Sequence, residues 1–196
     1  MKRYTLLILT VLMLAPLLPF AETIDELKEI DEPRFSNALD SLIISSDWVN
    51  DISLGGLHSC AMLDNGAVSC WGYGANGQLG NGGIVNSNTP TPTSSLGPGR
   101  TAVAISSGYV NTCAILDNGA VSCWGNNVYG QVGNGGPSEE MNPTLTSSLG
   151  TNRTAVAISV GRYFACAILD NGAVSCWGGG GGGQLGNGGN ANSNTP

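Results

Sequence analysis

Thirteen residues, CAILDNGAVSCWG (Cys113–Gly125), occur three times in this chain of 196 residues. The copies begin at Cys60, Cys113 and Cys166, and only Met62 departs from the common spelling. The constant spacing of 53 residues extends past this core. Ile52, Ile105 and Ile158 fall in line, and GQLGNGG at Gly77–Gly83 returns as GQVGNGG and GQLGNGG. The pattern runs from near Trp48 to Pro196, just under three copies. A chain written this way builds its core by stacking each copy on the next, because one copy cannot bury its own apolar face.

Each copy reads as short antiparallel strands. No apolar stripe of helical period is present, and Gly, Asn, Ser, Thr or Pro interrupts the chain about every ten residues. AVAIS, CAIL and AVSCW are short runs bounded by turn signals. A repeat of 53 residues suits four strands with their loops, one blade of a β-propeller. The predicted fold is all-β: four-stranded antiparallel blades, about three of them, in an open arc. The predicted organisation is a signal peptide over 1–21 and an acidic arm or short helix over 22–47. Blades then follow over 48–100, 101–153 and, incomplete, 154–196.

The hairpin in each copy sets a register. With Asp117, Asn118 and Gly119 as a three-residue loop closed by a left-handed Gly, Ile115 faces Val121 and Cys113 faces Cys123. The same count sets Cys60 against Cys70 and Cys166 against Cys176. Directly opposed cysteines stand at disulfide separation, so three hairpin bridges are expected out of the fifteen pairings six cysteines allow. Each 11-residue closed loop then stabilises by about 2.5–3 kcal/mol on the chain-entropy account. Trp71, Trp124 and Trp177 are expected to fill the space between blades, and Gly72, Gly125 and Gly178 to turn the chain out of the strand. Asp64, Asp117 and Asp170 read as turn formers rather than ligands or acids. The single histidine, His58, is replaced by Asn111 and Phe164 in the other copies, which predicts a surface or loop position.

Composition narrows the function classes. The formal net charge is −7, and nine of the fourteen acidic residues lie within 22–51. No basic patch exists to neutralise phosphates, so nucleic acid is not an expected partner. Lys2 and Arg3, the apolar run Thr5–Phe20 and Ala21 read as a secretory signal. The run is short for a membrane span and contains Pro16 and Pro19, so no stable span is expected after cleavage. Export places the chain in the secreted, periplasmic or cell-surface space, where disulfides persist. No second histidine exists for a triad or an imidazole metal site, and a ten-residue cysteine separation is not a zinc spacing. No catalytic residue, metal or cofactor is expected.

The stretch AVAISSGYVNTCAILDNGAVSCWGNNVYGQVGNGG and its two partners resemble the regulator of chromosome condensation repeat family over about three quarters of the chain. The resemblance implies a propeller of about seven blades. Its eukaryotic founder is a nucleotide exchange factor, and a secreted bacterial branch includes an inhibitor that binds an enzyme through its propeller face. The signal and the cysteine pairs look more like exported prokaryotic members. No exchange-factor residue can be placed on this chain. Set beside the family, just under three copies suggest part of a longer reading frame.

Three functions follow as expectations. The first is an exported scaffold that binds a protein or glycan through its loops. The alternatives are an exchange-factor-like regulator, or the propeller part of a larger exported hydrolase or adhesin. Under the first, specificity lies where the copies differ: residues 73–76, 84–88, 126–129 and 137–142, with Glu139 and Glu140 the one acidic pair in the repeats. The Gly178–Gly183 run, lacking side chains, is expected to be the most mobile loop. Ser41–Ser53 is expected to be a strand that completes the last blade. An open arc also leaves its end blades uncovered, which predicts self-association.

Overall fold

In the computed structural model, which describes residues 48–196, the repeated hairpin has the predicted register. Cys60 pairs with Cys70, Cys113 with Cys123 and Cys166 with Cys176 across neighbouring strands. All three pairs form disulfides, with Cα atoms 4.0–4.1 Å apart. The loop closes as expected. Gly119 donates to the Leu116 carbonyl, Leu116 donates to Ala120, and Gly119 takes φ 76°. At the far end of the second strand, Gly125 has φ 102°, and a Cβ there would press on the Val110 carbonyl. That glycine turns the chain out of the blade.

The described residues form eleven strands and no helix. Blade 1 is β1 (Val49–Leu54), β2 (His58–Leu63), β3 (Val68–Gly72) and β4 (Ser87–Pro92). Blade 2 is β5 (Ala102–Ser107), β6 (Asn111–Leu116), β7 (Val121–Gly125) and β8 (Glu140–Leu145). Blade 3 is β9 (Ala155–Val160), β10 (Phe164–Leu169) and β11 (Val174–Gly178), extended by a single bridge between Gly178 and Ser193. Strands follow one another across each sheet in chain order, all antiparallel.

The core lies between the blades, in two clusters. One joins the Cys60–Cys70 disulfide, Met62 and Val68 of blade 1 to Ile105, Leu116 and Trp124 of blade 2. The other joins Cys113–Cys123, Ile115 and Val121 of blade 2 to Leu169 and Trp177 of blade 3. Trp124 and Trp177 are fully buried, and each indole donates to the preceding blade, to the Gln78 carbonyl at 2.9 Å and the Gln131 carbonyl at 3.0 Å. Burying an indole is most favourable when its N–H finds such an acceptor. Trp71 is only half-buried, because among the described residues no blade packs on its side. Every residue of β6 and β7 is buried, since blade 2 is covered on both faces.

Two expectations change. Val49–Leu54 pairs with β2 as the first strand of blade 1, the place that β5 and β9 take in theirs. It therefore does not complete the last blade; residues 41–47 lie outside the described residues. His58 is not at the surface. It is 3% exposed at the head of β2, with Nε2 2.7 Å from the Thr112 hydroxyl of blade 2. Its counterparts differ because the position fills a gap between blades, which His and Asn occupy as buried groups and Phe half-buried. The predicted signal peptide and the 22–47 arm also lie outside the described residues. Among the described residues no helix is long and apolar enough to cross a membrane.

Candidate interaction face

Antiparallel blades put alternate connections at opposite ends. The Asp-Asn-Gly turns lie at one end. At the other lie the first loop of each blade (residues 55–57, 108–110 and 161–163) and the stretch that leaves its third strand. Backbone bonds tie these two loops together: Tyr73 to Leu57 at 2.9 Å, Asn126 to Val110 at 3.0 Å, Gly179 to Tyr163 at 2.8 Å.

The turn end is uniform. Arg100 pairs with Asp117 at 3.2 Å and Arg153 with Asp170 at 3.3 Å, each linking a blade connection to the next turn. A concavity of about 370 Å³ beside Gly66 and Thr101 has a smaller equivalent beside Ala120 and Arg153. Features that recur with the repeat belong to the frame. Asp117 and Asp170 thus sit in their turns and pair with an arginine of the preceding connection. Among the described residues, no three His, Cys, Asp or Glu side chains gather where they could hold a metal ion.

The loop end is where the copies disagree. Gly56, Tyr109 and Arg162 occupy one equivalent position, and Leu57, Val110 and Tyr163 the next. The Arg162 guanidinium lies 4.8 Å from the Tyr109 ring centre and 4.9 Å from that of Tyr163. Tyr163 in turn meets Tyr129 with centroids 5.0 Å apart and planes tilted by 58°. Tyr109, Arg162, Tyr163 and Tyr129 thus form a continuous ladder across blades 2 and 3. Cation–π contact holds the guanidinium between two faces, and tilted rings satisfy their quadrupoles. Tyr109 and Tyr129 are exposed, as is Tyr73 on blade 1. Arg162 is also exposed, the one arginine of the repeats without a carboxylate partner among the described residues.

The expected specificity loops all come to this end. Tyr73 and Tyr129 lie within the predicted 73–76 and 126–129 stretches. Glu139, exposed, and Glu140, half-buried, are here too, and their carboxylates accept bonds from neighbouring side chains. Glu139 accepts from Asn126 at 2.9 Å and from Asn76 of blade 1 at 3.2 Å. Glu140 accepts from Asn134 at 2.7 Å and Thr144 at 3.2 Å. Glu139 thereby ties the 137–142 loop to blade 1, and Glu140 holds it within blade 2. The Gly178–Gly183 run keeps the turn of its counterpart: Gly183 donates to Gly180 as Gly130 does to Asn127. Where blade 2 carries Val128 and Tyr129, blade 3 has bare Gly181 and Gly182, and a Cβ at Gly181 would meet nothing within 4 Å.

The residues missed by motif reasoning are Tyr109, Arg162 and Tyr163. Their signal was present: the Gly-X-X loops GGL, GYV and GRY differ in every copy. His58 also faces this end from below the surface. Burial pushes its imidazole down to about 4, so it stands neutral, hydrogen-bonded through Nε2 to the Thr112 hydroxyl.

The fold defines an open arc of propeller blades with one constant and one variable end. The description "Regulator of chromosome condensation (RCC1) repeat" matches residues 49–78, 102–131 and 155–184, and in a second form 65–115 and 118–168. The chain belongs to this repeat family. It is 31% identical to the human E3 ubiquitin-protein ligase HERC2 over 160 residues, 81% of this chain and 3% of that protein. It is 35% identical to the Arabidopsis thaliana ultraviolet-B receptor UVR8 over 136 residues, 69% of this chain and 30% of the receptor. The solved structure of Saccharomyces cerevisiae Prp20p, described with its binding to Gsp1p and histones, superposes with a TM-score of 0.68 at 18% identity. That match covers 76% of this chain and 37% of Prp20p. The chain thus spans a third or less of these two relatives and little more than a third of that structure.

Proposed function

We propose that this chain is an exported protein-binding module whose contact surface is the variable end of the arc. The observation that carries this reading is the Tyr109–Arg162–Tyr163–Tyr129 ladder. Exposed tyrosines and an arginine held in place by stacking are the residue types that anchor protein interfaces. They lose little side-chain freedom on binding, because each is already packed against a neighbour. Three hairpin disulfides, with no free cysteine among the described residues, and the N-terminal signal pattern support an oxidising compartment. The role proposed is binding, with any catalysis left to other chains or domains. Nothing at the loop end favours nucleotide exchange over this reading.

The test compares two variants. Tyr129→Ala with Arg162→Ala strips the loop end, and Asn118→Ala alters an exposed turn at the opposite end. Immobilised wild-type and variant chains are presented with secreted proteins from the source cells and with a glycan array. Protein ligands kept by Asn118→Ala and lost by the loop variant support the proposal. Ligands lost from neither, or from both, count against it. Retention of glycans alone would transfer the face to carbohydrate recognition.

A further inference from the structure

Two connections carry the chain from one described blade to the next, SSLGPGRT over 94–101 and SSLGTNRT over 147–154. They fold alike. Gly97 N–H and Gly150 N–H each donate to the hydroxyl two residues back, Ser95 and Ser148, at 3.1 Å. Arg100 N–H and Arg153 N–H then close the turn on the Gly97 and Gly150 carbonyls, at 3.1 and 3.2 Å. At the crest, Gly99 of the first turn is replaced by Asn152 in the second. Gly99 has φ 66° and Asn152 φ 56°, the one non-glycine residue with positive φ among the described residues. Asparagine enters this region more readily than most side chains, so the turn accepts the exchange.

The exchange also writes a chemical pattern. Asn152-Arg153-Thr154 is the sole Asn-X-Ser/Thr triplet in the 196 residues whose middle residue is not proline. Asn142-Pro143-Thr144 is barred by its proline. Such a triplet is the acceptor for N-linked sugar in exported proteins.

The fold holds the acceptor outward. Asn152 is exposed, and its amide makes no hydrogen bond among the described residues. The two residues after it are fixed on Asp170, Arg153 by an ion pair at 3.3 Å and Thr154 through its N–H at 3.4 Å. Blades that follow leave this place open. Gly99 holds it one junction earlier, with two described blades after it, yet it is exposed and a Cβ there would meet nothing within 4 Å. The crest also stands at the constant turn end, opposite the Tyr109–Arg162–Tyr163–Tyr129 ladder.

We propose that Asn152 is a glycosylation site, carrying an N-linked oligosaccharide on the constant end of the arc. The proposal rests on the exported location argued above. The donor is an oligosaccharide held on a lipid phosphate. The Asn152 side-chain nitrogen bonds to the anomeric carbon of the first sugar, and the bond from that carbon to the phosphate oxygen breaks. The lipid phosphate leaves, the amide gives one proton to a base of the transferase, and the step is redox-neutral. A bulky polar chain at this end shields the turns and leaves the variable end open to a partner.

The test uses the full chain, expressed with its own N-terminus in the source cells and recovered by fraction. Mass spectrometry of the peptide containing Asn152 is expected to show a sugar increment on the exported chain. Asn152→Gly, which installs the residue of the first turn and so keeps its φ, is expected to lose the increment completely. Thr154→Ala should lose it too, while Thr154→Ser keeps it. Circular dichroism melts verify that the variants fold. A bare Asn152 on an exported, disulfide-bonded chain overturns the proposal and leaves the exported location standing. An increment that survives Asn152→Gly also overturns it, by placing the sugar elsewhere. A chain kept in the cytosol with residues 1–21 attached and Asn152 bare overturns both readings.

Discussion

At the residue scale, His58 and Trp124 show how one position joins two blades. His58 is neutral in the fold because burial holds it near 4, below its ordinary value of 6.5. The unfolded chain then binds more protons between those values. Stability contributed by neutral His58 is complete above pH 6.5 and is lost as pH falls toward 4. The loss amounts to about 3 kcal/mol at most. Urea titrations across this window are expected to show that slope in the wild type and its absence in His58→Asn, which installs the residue blade 2 uses. An equal slope in both would assign it to the carboxylates. Trp124→Phe removes the indole bond to the Gln78 carbonyl, which keeps the Thr112 hydroxyl at 3.2 Å, at a cost of about 0.5–1.5 kcal/mol. The same change at half-buried Trp71 should cost less, and comparing the two melts checks this.

At the element scale, the hairpin is the unit of stability. Its register needs only a loop type and a count of residues, so the three disulfides were legible from the chain alone. Replacing Cys113 and Cys123 together by serine is expected to destabilise by about 2–4 kcal/mol. Chemical denaturation of the oxidised double variant measures it. Gly119→Ala should cost about 1 kcal/mol or more, since φ 76° disfavours a side chain and a Cβ would meet Thr154 of the next blade. The Gly178–Gly183 run keeps its turn through backbone bonds, but no side chain pins it. Hydrogen exchange is expected to be fastest there among the three equivalent loops.

At the scale of the whole molecule, stability should follow coverage. Among the described residues, blade 2 is packed on both faces and blades 1 and 3 on one. Nearest-neighbour stacking then predicts the slowest amide exchange in β6 and β7 and earlier opening of β1 and of β9–β11. Uniform protection at low concentration would mean the arc opens as one unit. The division of ends belongs to this scale too. The turn end repeats ion pairs, Arg100 with Asp117 and Arg153 with Asp170, while the loop end carries different residues on the same frame.

The sequence by itself determined the period, the all-β blades, the turn in each hairpin and the cysteine pairing. These depend on contacts within about a dozen residues, where turn chemistry and the two-residue alternation of strands leave one solution. Only the tertiary structure decided that His58 is buried, that Val49–Leu54 opens blade 1, and that Glu139 and Glu140 brace a loop. It alone brought Tyr109, Arg162, Tyr163 and Tyr129 into one ladder. Those outcomes depend on side chains of different copies becoming neighbours. In this chain that adjacency is created by blade stacking, which no local pattern encodes.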